Sequence, residues 1–102
     1  MYLSTFKGFF LKVMDNKSIL DDLLDILEKN NVKIRKDSLG GGGSGLCRIK
    51  DQYIFFADTN SSAYEIAVSC AKAVGQVIDI ESIYLKPQVR SFIEQNMEKI
   101  QQ

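Results

Sequence analysis

The sequence predicts one small α+β domain, in which an antiparallel sheet of about three strands lies mid-chain between N-terminal and C-terminal amphipathic helices. Near both ends of the chain, apolar residues recur every three or four positions, which is the helical period. Between residues 32 and 57 they alternate with polar residues, which is the strand period. The 102 residues, 45% of them hydrophobic, fit a single domain spanning 1–102.

Two helices are expected before the sheet. A short one is predicted over residues 4–14, where Gly8 lowers the helical propensity. The second, over 17–30, has a broad apolar stripe and acidic residues toward its start, as the helix dipole favours. The pair Asn30-Asn31 is suited to end it.

Two more helices are expected after the sheet. Ser62 and Glu65 have the spacing of a capping box, and Gly75 is expected to stop the helix that they begin. The apolar segment 77–85 is compatible with a short strand or an irregular crossing. Pro87 suits the first position of a last helix. The apolar residues of that helix are Val89, Phe92, Ile93, Met97 and Ile100.

The mid-chain hairpin is expected between strands 46–50 and 53–57, with Asp51-Gln52 as its turn, and strand 32–36 precedes it. This turn pairs Lys50 with Tyr53. The inner face then contains Cys47, Ile49, Ile54 and Phe56. The outer face contains Lys33, Arg35, Arg48, Lys50, Tyr53 and Phe55. A surface on which cations alternate with aromatic rings could bind a phosphorylated ligand or single-stranded nucleic acid. The prediction depends on the turn, because a three-residue turn would place Tyr53 and Phe55 with the core and remove this outer face.

A glycine-rich segment, Gly40 to Gly45, separates the first two strands and is predicted to be a flexible loop over 40–45. The residues of this loop that a ligand would contact are Gly42, Gly43, Ser44 and Gly45. The spacing Gly40-x-Gly42-x-x-Gly45 formally matches a dinucleotide fingerprint. That motif requires a helix directly after the loop, whereas a strand follows here, so a surface hairpin loop is the favoured interpretation.

Composition excludes several function classes. The chain has no histidine, which removes Ser-His-Asp catalysis, Cys-His catalysis and zinc sites built on imidazole. Its formal net charge is zero, so no global field attracts nucleic acid or a membrane. Cys47 and Cys70 are expected to be reduced thiols. No apolar run is long enough to span a bilayer and no signal peptide is apparent, so we expect a cytoplasmic protein.

The leading hypothesis is therefore a non-enzymatic interaction module that self-associates through its terminal helices, with a homo-oligomer or another protein as its partner. The alternative is a domain that binds a phosphorylated ligand or single-stranded nucleic acid. No metal or cofactor is expected, and neither is a membrane partner. Asp58 lies between a strand and a helix, where both catalytic and turn residues are common. No cluster of carboxylates, lysines or tyrosines indicates an enzyme.

Overall fold

The computed structural model describes residues 14–40 and 42–97. These residues form three helices, three strands and one 3-10 turn. In chain order they are α1 (Asn16–Lys29), β1 (Lys33–Asp37), β2 (Gly45–Ile49), β3 (Gln52–Asp58), α2 (Ala63–Val77), the 3-10 turn (Ile80–Ser82) and α3 (Pro87–Met97). The predicted α+β class is confirmed. The helix expected over 4–14 lies outside the described residues, apart from Met14.

Helix α1 is bounded by side chains that satisfy its free backbone groups. The Asp15 carboxylate accepts a hydrogen bond from the Ser18 amide at 2.8 Å, as an N-cap does. At the other end Asn31 has a φ of 67°, the left-handed conformation that ends many helices. Between the caps, Leu23 and Leu27 are fully buried, so α1 contributes one apolar face to the core.

Helix α2 begins at the predicted capping box, in which Ser62 and Glu65 each bond the other's backbone amide. Its buried face is made mostly of small residues: Ala67, Cys70, Ala71, Ala73 and Val74. The prediction that Gly75 ends this helix is wrong, because the helix continues to Val77. A Cβ atom at Gly75 would lie 2.8 Å from the Met97 sulfur, so the missing side chain lets α3 approach closely.

Helix α3 begins at Pro87, as predicted, and buries Val89 and Ile93 in the core. Its apolar stripe therefore packs inside the domain, while Ile100 lies outside the described residues. The segment between α2 and α3 has no strand. It contains the 3-10 turn, and the buried side chains of Ile80 and Leu85 hold it against the core.

The sheet is mixed, with strand order β1-β3-β2. The predicted hairpin joins β2 and β3, which are antiparallel, whereas β1 lies parallel to β3 on its other side. The sheet is therefore not purely antiparallel. Because β3 occupies the place between β1 and β2, the glycine-rich connection from β1 to β2 must cross the end of β3.

The hairpin register differs from the predicted one by two residues. The turn is Lys50-Asp51, so Arg48 pairs with Tyr53 and Ile49 with Gln52. Lys50 has a φ of 60°, a conformation that the common two-residue hairpin turns require. Since positive φ is unusual for lysine, the residue types alone do not reveal this turn.

The helices cover the face opposite to the one that the sequence analysis predicted as the core. Phe55 is fully buried, with Ile34 and Leu46 beside it in the neighbouring strands. The opposite surface, called the open face below, comprises Lys33, Arg35, Asp37, Gly45, Cys47, Ile49, Ile54 and Phe56. Cys47 is exposed and Ile49 is 52% exposed, so the predicted inner face is wrong. The physical reason is the position of β1. Because β1 lies beside β3, the helix-covered side has an apolar row across all three strands, made of Ile34, Phe55 and Leu46.

Candidate functional site

Asp58, the last residue of β3, forms hydrogen bonds with several residues of the glycine-rich connection. One carboxylate oxygen, Oδ1, accepts hydrogen bonds from the amides of Leu39 at 3.2 Å and Asn60 at 3.0 Å. The other, Oδ2, accepts one from the Gly43 amide at 3.3 Å. The Asp58 amide in turn donates to the Ser44 hydroxyl at 2.8 Å. Asp58 therefore ties both ends of the loop to the strand that the loop crosses.

Asp58 is only 1% exposed, yet its environment favours the charged carboxylate. The hydrogen bond from the Asn60 amide is the largest cause that lowers the pKa of Asp58, followed by the bond from Leu39. Burial opposes this shift, and the Gly43 amide and the Ser61 side chain add to it. The group is a stable anion that organises the loop, because each of these hydrogen bonds stabilises its charge.

Three amides along the loop already have acceptors within the chain. Gly42 donates to the Leu39 carbonyl at 3.0 Å, and Leu39 and Gly43 donate to Asp58. A phosphate at these amides would also meet the negative charge of the Asp58 carboxylate. In the described residues the glycine-rich loop therefore closes over an anion that belongs to the protein itself. Its predicted flexibility stays a prediction.

Gly43 and Gly45 allow a matched test of whether the loop needs glycine for its backbone conformation. Gly43 has a φ of 83°, so Gly43→Ala is expected to lower the free energy of unfolding by about 1–2 kcal/mol. Gly45 lies in β2 with no positive φ and open space around its missing Cβ, so Gly45→Ala is expected to cost nothing. Urea unfolding measures both. Equal losses in the two variants would contradict a conformational role for Gly43.

The structure does not bring the predicted ligand-binding residues together. Lys33 and Arg35 lie on the open face, whereas Arg48 and Tyr53 lie on the helix-covered side, with the Arg48 guanidinium 5.6 Å from the Tyr53 ring centre. Lys50 is in the turn, at the opposite end of β2 from Gly42, Gly43, Ser44 and Gly45. Phe55 is buried in the core and contacts no solvent. The predicted basic and aromatic face is therefore divided between two sides of the sheet.

The open face has an apolar centre with a basic border. Lys33 lies beside Ile54 and Arg35 beside Phe56 in the pairing of β1 with β3. Ile54 and Phe56 are half-buried, and Cys47 extends the apolar surface into β2, where it pairs with Ile54. The sequence analysis placed Cys47 and Ile49 in the core, whereas the described sheet leaves both exposed.

The two edges of the sheet differ in how they are protected. Four of the five residues of β1 are charged, Lys33, Arg35, Lys36 and Asp37, and charges discourage another strand from pairing with an edge. In β2 only Arg48 is charged, and the other four residues are Gly45, Leu46, Cys47 and Ile49. No described strand pairs with the outer side of β2. The β2 edge is therefore the less protected of the two.

Comparisons with established protein families, curated proteins and solved structures gave no significant match. Within residues 14–40 and 42–97, no group of three histidine, cysteine, aspartate or glutamate side chains could hold a metal ion. In the same residues, no helix is both long enough and apolar enough to cross a bilayer.

Proposed function

We propose that the protein is a non-enzymatic interaction module that acts in the cytoplasm and whose partner is a second copy of itself. The β2 edge is the surface of self-association. One observation carries this proposal: β2 has an unpaired outer edge with a single charged residue, Arg48, whereas β1 is guarded by charges. Association through the terminal helices stays a prediction, because residues 4–13 lie outside the described residues, and the described apolar residues Val89 and Ile93 of α3 pack in the core.

Two properties support a second copy as the occupant. The formal net charge is zero, so two copies meet without overall repulsion. The exposed residues of β2 include Ile49, one of three large hydrophobic side chains exposed among the described residues. The proposed cytoplasmic location is supported by a separate observation, that Cys47 and Cys70 are both free thiols, as in proteins of a reducing compartment.

The alternative, binding of a phosphorylated ligand or single-stranded nucleic acid, stays a prediction. Lys33 and Arg35 are the exposed cations of the open face, and Arg35 is 3.8 Å from the Asp37 carboxylate. No aromatic ring lies beside them fully exposed, since Phe56 is half-buried. The observations therefore favour protein association.

Sedimentation equilibrium from micromolar to millimolar protein tests the proposal. We expect the average mass to rise toward twice the chain mass. Cys47→Lys, which places a charge on the β2 edge, is expected to weaken association by about tenfold or more. Tyr84→Lys adds the same charge at a residue that is 84% exposed and outside the sheet, and it should leave association unchanged.

A mass that stays monomeric over the whole range would overturn the proposal. So would equal dissociation constants for the wild type and Cys47→Lys, provided that circular dichroism shows both proteins folded. Equal weakening by Tyr84→Lys would point to general charge repulsion and would also contradict a role for the β2 edge.

A further inference from the structure

The hairpin geometry determines which backbone groups of β2 are free. In a hairpin with a two-residue turn, the residues flanking the turn, here Ile49 and Gln52, form a hydrogen-bonded pair. Hydrogen-bonded and non-hydrogen-bonded pairs then alternate along an antiparallel ladder. The amide and carbonyl groups of Cys47 thus point toward β3, and those of Leu46 and Arg48 point to the outer edge.

A second β2 strand can bond the outward groups of both Leu46 and Arg48 in a symmetric arrangement. A two-fold axis at Cys47 aligns Leu46 of one copy with Arg48 of the other, twice. Both members of each aligned pair have outward-pointing groups, so the arrangement forms four backbone hydrogen bonds. An axis midway between two residues would instead oppose outward groups to groups already bonded to β3. An axis at Arg48 would place the two Arg48 charges opposite each other, and an axis at Leu46 would align Arg48 with Ser44, outside β2, and leave only two of the hydrogen bonds.

We propose that two copies pair their β2 strands antiparallel about a two-fold axis at Cys47, which joins the two sheets into one of six strands. This inference rests on the proposed self-association and specifies its geometry. Cys47 would face the partner's Cys47 as a non-hydrogen-bonded pair, for which Cα atoms are about 4.5 Å apart. That separation lies within the range that a disulfide spans.

The side chains of β2 are compatible with this arrangement. Gly45 of one copy would face the partner's Ile49 on the open face, so the largest exposed hydrophobic side chain of β2 meets the residue with none. No like charges oppose each other, because Arg48 of one copy aligns with the partner's Leu46. Isologous contacts of this kind close at two copies and do not propagate.

Disulfide trapping tests the register directly. In a Cys47→Ser background, Gly45→Cys and Ile49→Cys are made as two separate proteins and mixed under a mild oxidant. The proposed register pairs residue 45 of one copy with residue 49 of the other, so the mixture should form a disulfide dimer. Neither protein should form a disulfide dimer on its own, because in the proposed register residue 45 lies far from residue 45 of the other copy, and residue 49 far from residue 49. The open space at Gly45 accommodates the new side chain.

The wild-type protein gives a second readout. Cys47 should cross-link at least about tenfold faster than Tyr84→Cys in the Cys47→Ser background, because pairing raises the local thiol concentration. Cys70 should not contribute, since it is buried and burial raises the pKa of its thiol to about 12. The disulfide is used here only as a probe of distance.

The outcomes separate the inference from the proposed function. A dimer in sedimentation together with a disulfide between 45 and 49 supports both. A dimer that shows no such disulfide, or in which Cys47 cross-links no faster than residue 84, overturns the register and leaves self-association standing. A monomer at all concentrations overturns both.

Discussion

Replacing Phe55 with alanine is expected to lower the free energy of unfolding by about 3–5 kcal/mol, the largest effect of any exchange considered for this protein. Phe55 is fully buried at the centre of β3, between Ile34 and Leu46 and beneath the helices. The exchange removes its contacts and leaves a cavity that the neighbouring strands cannot fill. Urea unfolding followed by circular dichroism measures the loss.

Phe56→Ala is the matched control, because the same side chain is removed one residue later, on the open face. Phe56 is half-buried, so a loss of about 1 kcal/mol is expected. If Phe55→Ala does not fold, Phe55→Leu should still lose more than Phe56→Leu. A larger loss at Phe56 would show that Cys47, Ile49 and Ile54 face the core instead.

The helices were the most predictable part of this fold. The capping residues, the apolar stripes and Pro87 are local signals, and they place α1, α2 and α3 within a few residues of their actual positions. Gly75 is the exception. Its residue type indicates a helix end, but its role is to admit the side chain of Met97 from another helix. That contact joins residues distant in sequence, so no local pattern reveals it.

The buried face of the sheet could not be predicted because both faces of β3 are apolar. Tyr53 and Phe55 alternate with Ile54 and Phe56, and either pair could form a core. The predicted register was wrong by two residues. Because side chains alternate between the two faces, a shift by an even number leaves each residue of the hairpin with the correct neighbours on its face. The choice between the sides depends on β1, which lies parallel to β3 and brings Ile34 beside Phe55.

The glycine-rich loop was recognised from the sequence as a special feature, but its contacts were not. Its purpose in the fold follows from the strand order, since the chain must cross the end of β3 to pass from β1 to β2. Asp58 was noted only as a residue between a strand and a helix, where catalytic and turn residues are both common. The amides of Leu39 and Gly43 reach it through the fold, from 19 and 15 residues away in the sequence.

Asp58→Asn is expected to lower the Tm at neutral pH by on the order of 10 °C. The asparagine has the shape of the aspartate but carries no charge, and its amide nitrogen cannot accept the bond that Oδ2 accepts from Gly43. The amides of Leu39 and Gly43 should also exchange with solvent faster. Thermal unfolding and amide hydrogen exchange measure these two effects, and Asp51→Asn, at a fully exposed turn carboxylate, should change neither.

The direction of the Asp58 pKa shift determines how the effect of Asp58→Asn should change with pH. Hydrogen bonds lower the pKa of Asp58 below the ordinary value of an aspartate in an unfolded chain, so its stabilising contribution is present above that ordinary value. The contribution is lost as the pH falls through the lowered pKa, because the folded state must then take up the proton. The Tm difference between wild type and Asp58→Asn should therefore be largest near neutral pH and shrink in acid. A difference that does not change with pH would mean that the charge of Asp58 does not hold the loop.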